Sequence, residues 1–388
     1  MARNIVIGID VGTTATRVAV CEFVRGENYP RVLGIGMSPS LSLRHGYITN
    51  VEDAVKSIKK AVISAEESSG IKIKKAFVSI GGISLESISG SGTAVISKAD
   101  GEITTLDVSK AITESEESIK IPNKKIIHVI PVSYKIDGKD VPGRPEGMRG
   151  IKIEVKTLFI TCLEQHLDDL VTAITLAGIE VIDVIASPLA ESQVALSERQ
   201  KAAGSALVNI GSETLSVSVF ENNVVQALKI FSIGSTDITN DIALGLKISL
   251  EEAEGLKIGS LIKEYPKKKL DQIIEARLSD IFELVENYLK KIKRNGLLPA
   301  GVILSGGGSN ITGIEEHAKN LLKLPAKIAS SENLGPKNKL RDPAWLVSIG
   351  LCHAEKRGGH NFGENSSLTK PLQEILNFFR SIGGQLMP

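Results

Sequence analysis

The sequence predicts an α/β protein made of two related halves, with a small α+β segment inserted into the first. Three observations carry this prediction. Residues 7–20 (Ile-Gly-Ile-Asp-Val-Gly-Thr-Thr-Ala-Thr-Arg-Val-Ala-Val) form an apolar strand that reaches an acid, turns at Gly12 and returns as an alternating strand. Residues 208–220 (Val-Asn-Ile-Gly-Ser-Glu-Thr-Leu-Ser-Val-Ser-Val-Phe) repeat that pattern about two hundred residues later. A third glycine turn, Gly306-Gly307-Gly308, follows an apolar run at 302–305 and leads into a helix start at 311–316.

Each turn has a chemical reading. Glycine lets the backbone approach an anion, and its N–H together with neighbouring hydroxyls can hold phosphate oxygens. This makes Gly12, Thr13 and Thr14 candidates in the first hairpin and Gly211, Ser212 and Thr214 in the second, where Glu213 joins the set only through the resemblance given below. Asp10 ends the first strand, where a carboxylate can hold a magnesium ion through water. At Gly306, Gly307 and Gly308 only the absence of side chains would let a base or ribose lie on the backbone, and the helix that follows favours negative charge at its start. One Asp-x-Gly-Thr-Thr is equally a plain hairpin turn. The second copy and the third glycine turn favour two half-domains closing on one nucleotide. The glycine spacing is that of neither a Rossmann fingerprint nor a P-loop.

The 388 residues suffice for two or three domains. Of these, 42% are hydrophobic and 23% charged, the composition of an ordinary globular chain. A net charge of +1 gives no electrostatic case for a nucleic-acid partner. Cys21, Cys162 and Cys352 are far apart and the six histidines show no ligand spacing, which argues against a disulfide framework or zinc site and for a reducing cytoplasm. The opening residues read as a strand rather than a signal peptide, and no apolar run is long enough to span a bilayer.

Residues 5–24, 31–38 and 76–80 read as strands. Residues 51–69 read as an amphipathic helix, with Val51, Ala54, Val55, Ile58, Ala61, Val62 and Ala65 on one face. From 84 the character changes: a Ser/Gly-rich stretch, a strand at 93–97, a helix at 107–120, a strand at 126–134, a Gly/Pro loop at 135–150 and a strand from 151. We read 84–160 as the inserted subdomain. Helices follow at 164–178, 234–246, 249–258 and 270–295, the third opening with a capping box, Ser249 with Glu252. Residues 354–370 are rich in Gly, Ser and Asn and read as a flexible linker.

Beyond that linker, Pro371 can start a helix in which Leu372, Ile375, Leu376, Phe379, Ile382 and Leu386 share one face, with Phe378 beside them. Such a helix either docks on the body of its own protein or lies in a membrane interface; the preceding linker and the paired phenylalanines favour the membrane. Anionic lipid is the expected surface, although the segment carries few basic residues and attraction to it adds little. A single copy binds weakly, so stable attachment needs several linked copies.

At this point the chain resembles a known family. Two phosphate hairpins, a Gly-Gly-Gly turn and an inserted subdomain look like the actin/Hsp70/sugar-kinase ATPase superfamily. Within it, His128-Val-Ile-Pro131, Tyr134-Lys-Ile-Asp-Gly138, Pro145-Glu-Gly-Met-Arg-Gly150, Ala253-Glu254 leading to Lys257, and the terminal amphipathic segment resemble the FtsA family of bacterial cell-division proteins over nearly the whole chain. The resemblance implies an actin-like fold of two ribonuclease-H-like halves. Subdomain 1A would cover 1–83 and 161–200, and the inserted 1C 84–160. Subdomain 2A would cover 201–240 and 301–353 with the return to 1A, and 2B 241–300. The linker is 354–370 and the membrane-targeting helix 371–388. ATP and Mg2+ are the implied cofactors. Glu254 and Lys257 would contact ribose and adenine. The implied function is to polymerise and tether FtsZ filaments at the inner face of the cytoplasmic membrane, and to recruit later division proteins. The acidic FtsZ C-terminal tail would suit Lys290, Lys291, Lys293 or Arg294, a cluster that equally reads as a solvated helix end.

One departure touches the chemistry. The family's second hairpin opens with Asp and continues with glycines; here Asn209, Ser212 and Glu213 stand in those places. An amide brings no charge to magnesium and takes no proton from water. Glu213 either repels a terminal phosphate or supplies charge to the metal. Nucleotide binding is therefore expected to outlast fast hydrolysis, and no catalytic residue is assigned. A small-molecule kinase of the same superfamily, with Asp183 or Asp237 as its catalytic acid, and a type IV pilus assembly adaptor remain alternatives.

Overall fold

The computed structural model describes residues 4–24, 30–40, 42–261, 265–329, 340 and 342–353. The terminal helix expected at 371–388, with Leu372, Ile375, Leu376, Phe378, Phe379, Ile382 and Leu386, and the whole linker before it, 354–370, lie outside the described residues. The chain divides into two compact units, one running to Glu86 and resuming at Gln165, the other beginning at Ser87 and ending at Glu164.

The larger unit contains the same sheet twice. In its first half β1 (Asn4–Val11), β2 (Ala15–Phe23) and β3 (Arg31–Pro39) are antiparallel neighbours. A short hairpin of β4 (Leu43–Arg44) and β5 (Tyr47–Ile48) and helix α1 (Val51–Ser69) lead to β6 (Lys75–Ile80), which lies parallel to β1. Gly34 and Gly36 let β3 approach α1: a Cβ on Gly36 would collide with the Ala61 carbonyl. Asn50 caps α1 and left-handed Gly70 ends it, so the helix matches the bounds its periodicity predicts.

Past the smaller unit, α3 (Glu164–Leu176) leads to β11 (Glu180–Ala186), parallel to β6, and the first sheet has the order β3-β2-β1-β6-β11. After α4 (Ser187–Ala195) and α5 (Glu198–Ala203), β12 (Ser205–Ile210), β13 (Leu215–Glu221) and β14 (Val224–Phe231) again form an antiparallel trio. Helices α6 (Ser235–Leu246), α7 (Leu250–Lys257) and α8 (Lys267–Lys291) follow. Then β15 (Val302–Ser305), α9 (Ile314–Leu322) and β16 (Ala326–Ile328) add two parallel strands, and α10 (Leu346–Cys352) closes the described chain. This half of the second sheet runs β14-β13-β12-β15-β16, the order of the first. The twofold repeat read from the two hairpins is therefore a repeat of whole ribonuclease-H-like sheets. The core of the second half is mostly aliphatic, with Val208, Val217, Ile238, Ile281 and Val302 fully buried around one aromatic ring, Phe282.

The smaller unit packs α2 (Thr105–Glu117) on a sheet of order β7-β10-β8-β9: β7 (Glu86–Val95), β8 (Lys124–Ile136), β9 (Lys139–Val141) and β10 (Lys152–Leu163). Two sequence expectations change here. The Ser/Gly stretch is strand, because Gly90 and Gly92 let α2 sit on it: a Cβ on either would collide with the carbonyl of Ser115 or Ala111. The stretch 135–150 is not all loop, since β9 pairs with β8 from Tyr134↔Val141 to Ile136↔Lys139. Asp107 sits at the third position of α2 in a capping box with Thr104, and those hydrogen bonds hold its carboxyl well below the usual range.

Candidate functional site: a glycine-walled cavity

The two hairpins turn in the same register. Gly12 N donates to Ala15 O at 3.2 Å and Gly211 N to Thr214 O at 2.8 Å. Asp10 pairs with Arg17 across the first hairpin, and Asn209 with Ser216 across the second. Asp10 is thus the counterpart of Asn209, Thr13 of Ser212 and Thr14 of Glu213. Both turns open on one cavity of about 650 Å³ within the larger unit. From the first hairpin Asp10, Gly12, Thr13, Thr14 and Arg17 line it; from the second, Asn209, Gly211, Ser212 and Thr214 do.

The cavity's remaining walls carry the other predicted residues. Gly306, Gly307 and Gly308 line it. Gly306 adopts a left-handed φ of 78°, and a Cβ there would lie 2.5 Å from Asn209 Oδ1 and 2.6 Å from Ile210 O. Gly307 faces open space. On α7, Glu254 and Lys257 stand one turn apart, with Lys257 Nζ 2.7 Å from Glu254 Oε2. Thr239 Oγ1 donates to the same carboxylate at 2.6 Å, and Lys257 also donates to Ser235 O at 3.1 Å. These bonds hold both side chains against the start of α6.

Glu213 alone among the predicted phosphate-site residues is not on the wall. Its carboxylate accepts from His45 N at 2.7 Å and pairs with Arg44 at 3.4 Å, so its charge serves a segment of the first half. Those bonds engage the carboxylate with Arg44 and His45 and leave it off the cavity lining. Asp183 and Asp237 are also off the wall. Asp237 Oδ2 caps α6 through Gly234 N at 2.8 Å, and Asp183 accepts from Val184 N at 2.8 Å.

Asp10 is held at the wall by Ser79, whose hydroxyl donates to Oδ1 at 2.6 Å. Burial pushes its carboxyl above the usual range, against the opposing effects of that bond and of the Arg17 charge. Arg17 itself went unassigned in the sequence because it alternates within a strand. Its guanidinium lies 5.9 Å over the Trp345 ring, and its buried Nε has no hydrogen-bond partner. Glu191 also escaped the sequence reading. It is 1% exposed on α4, and both its oxygens accept from Asn209 Nδ2, at 2.8 and 2.9 Å. Burial pushes its carboxyl up to about 7, the Asn209 and Ser305 bonds notwithstanding.

Comparison with known proteins places the chain in a family. A family model described as "Cell division protein FtsA" matches residues 206–350, and one described as "SHS2 domain inserted in FTSA" matches 82–161; together they cover more than half of the chain. The chain belongs to the FtsA family. Cell division protein FtsA of Bacillus subtilis is 29% identical over 396 residues, covering 96% of this chain and 88% of that protein. FtsA of Escherichia coli K12 is 24% identical and covers 92% of each. Among solved structures, the PilM–PilN type IV pilus biogenesis complex superposes with a TM-score of 0.67 at 16% identity, over 89% of this chain and 97% of that one. MreB5 of Spiroplasma citri bound to ADP superposes with a TM-score of 0.54 at 14% identity, over 92% and 98%. The actin-like fold expected from the FtsA resemblance is the fold observed.

The basic cluster at the end of α8 is partly occupied within the chain. Lys290 pairs with Glu286 at 2.9 Å and Arg294 with Glu221 at 2.6 Å, while Lys291 and Lys293 flank the helix end, where positive charge offsets the macrodipole. Among the described residues no helix is long and apolar enough to cross a membrane, and no group of three His, Cys, Asp or Glu side chains is placed to hold a metal on its own.

Proposed function

We propose that this FtsA-family chain binds a magnesium–adenine nucleotide in the glycine-walled cavity, polymerises, and tethers FtsZ filaments to the cytoplasmic membrane through residues 371–388. The observation that carries the reading is the convergence of two hairpin turns and a glycine turn on one cavity. Backbone N–H groups of the turns, with Thr13, Thr14, Ser212 and Thr214, would hold the phosphates. Gly306, Gly307 and Gly308 would accept the adenosine face, and Glu254 with Lys257 the ribose and base. Magnesium fits as an ion carried in on the phosphates, since the wall offers Asp10 for contact through water but no multi-carboxylate cage. Bound there, the ion would neutralise phosphate charge and favour the ionised form of Asp10.

Arg17 extends the predicted set. A guanidinium with a buried, unpartnered N–H beside the phosphate turns is a fork for phosphate oxygens. Arg17→Ala is expected to weaken ADP binding by roughly 10- to 100-fold, the value of one or two charge-assisted hydrogen bonds, as titration calorimetry would show. Unchanged affinity would remove Arg17 from the site.

The tether is tested by co-sedimentation with liposomes containing anionic lipid. The full chain with ATP is expected to pellet, and a chain ending at Lys370 to stay in solution. Adding FtsZ is expected to bring FtsZ down only with the full chain. Equal sedimentation of the two chains would favour a pilus-adaptor type of protein. Charge reversal at Lys290 and Arg294 is expected to weaken binding of the FtsZ tail, and unchanged tail affinity would take the tail off this cluster.

A further inference from the structure

The two hairpins differ at one equivalent position: the strand end is an acid in the first half, Asp10, and an amide in the second, Asn209. Directly behind that amide stands a carboxylate. Ser187, at the start of α4, lines the cavity, and Glu191 follows one helical turn later, sealed from solvent at 1% exposure. Its two oxygens chelate Asn209 Nδ2 at 2.8 and 2.9 Å. An ionised carboxylate only accepts hydrogen bonds, so it fixes which end of the amide faces it. With Nδ2 turned to Glu191, Oδ1 is turned toward Gly306 on the cavity wall.

Burying an acid in this way costs free energy that a buried glutamine or leucine would not. What the arrangement provides is a carbonyl-type oxygen of fixed direction, polarised by an anion one layer back. Outer-layer carboxylates that orient the group in front of them act in this manner around many cation sites.

We propose that Glu191 is a positioning residue for the cation of the bound nucleotide: acting through Asn209, it returns to the second half the negative charge that its strand end lacks, so that acid and amide are transposed between strand and helix. This rests on the nucleotide reading above. An anion at this depth attracts the divalent ion and repels bare phosphate. Its signature is therefore a difference between metal-loaded and metal-free binding, which a packing defect would weaken alike.

The test measures the affinity of the full-length chain for ADP at about pH 8.5, where Glu191 is ionised, in Mg2+ and in EDTA, for wild type, Glu191→Gln, Asn209→Asp and the transposed pair Glu191→Gln/Asn209→Asp. In Glu191→Gln the gain in affinity from Mg2+ is expected to fall about tenfold, with ADP affinity in EDTA unchanged or higher. The transposed pair, which restores one acid and one amide, is expected to recover the gain to within about threefold of wild type. Asn209→Asp alone puts two carboxylates in contact and is expected to lower the melting temperature of the ligand-free protein below that of both wild type and the pair. A full Mg2+ gain in Glu191→Gln overturns the proposal, as does a folded transposed pair that stays as weak as Glu191→Gln. A wild-type chain that binds ADP in neither buffer overturns the nucleotide reading itself, and this assignment with it.

Discussion

Gly307→Val is expected to leave the ligand-free protein folded and to weaken ADP binding by roughly 100-fold, a steric cost within the usual range for overfilling a packed site. The three glycines of the turn are not equivalent. Gly306 needs its left-handed backbone, and a side chain there would press on Asn209 Oδ1. At Gly308 a Cβ would lie 2.5 Å from Ile210 Cγ2. Substitution at either damages the fold, and any lost binding would be uninterpretable. A Cβ on Gly307 meets nothing within 4 Å, yet the residue lines the cavity. Bulk added there fills space that only a ligand would use. The melting temperature should therefore move by no more than about 2 °C without nucleotide, and the stabilisation that ADP gives to wild type should disappear. Wild-type affinity in a folded Gly307→Val protein would take the nucleotide off this wall.

The second large effect is one of stability against pH. Glu191 titrates near 7 in the folded chain and at its ordinary value, near 4.5, once unfolded. Between those values the folded state keeps a proton that the unfolded state has released, so raising the pH through that window costs stability, and above about 7 the loss is complete. Glu191→Gln cannot pay this penalty. Without nucleotide, the variant's melting temperature minus that of wild type is expected to be near zero at pH 4.5, to rise through pH 7 and then to level off. At about 1.4 kcal/mol per pKa unit the plateau is a few kcal/mol, or several degrees. His128 and His166 work in the opposite direction. Burial pushes them down to about 3 and 4, so their contribution is complete above pH 6.5 and is lost as the pH falls. They are present in both proteins and cancel in the difference. Thermal scans at half-unit pH steps measure it, and a flat difference would mean that Glu191 is ionised at no cost.

The parts of the site that were legible in the sequence are those written in short local patterns. Alternating strands broken by Gly12 and Gly211, and the run Gly306-Gly307-Gly308, follow from backbone geometry, and the fold brings all three to one cavity. What escaped was encoded by burial. Helix α4 has no amphipathic stripe: Pro188, Leu189, Ala190, Glu191, Ser192, Val194 and Ala195 are all buried, so periodicity gave no signal and a carboxylate in its interior passed as surface. The charge on Glu191 became visible only as the partner of Asn209, 18 residues away. Arg17 was hidden for a related reason, since a strand residue facing a cavity alternates like one facing solvent. Glu213 is the reverse case. Its place in a phosphate turn suggested chemistry at the turn, but its partners, Arg44 and His45, are far off in sequence.

Those partners have a consequence of their own. The stretch Arg44–Gly46 is stitched on three sides: Gly46 N donates to Thr13 Oγ1 at 3.1 Å, His45 O accepts from Ile83 N at 3.3 Å, and Glu213 receives His45 N. A motion that parts the hairpins would break this knot, of which Gly46 and Thr13 line the pocket while Arg44, His45 and Glu213 do not. Loosening the clasp at Arg44 or Glu213 would change how readily the hairpins part without altering a residue of the cavity wall.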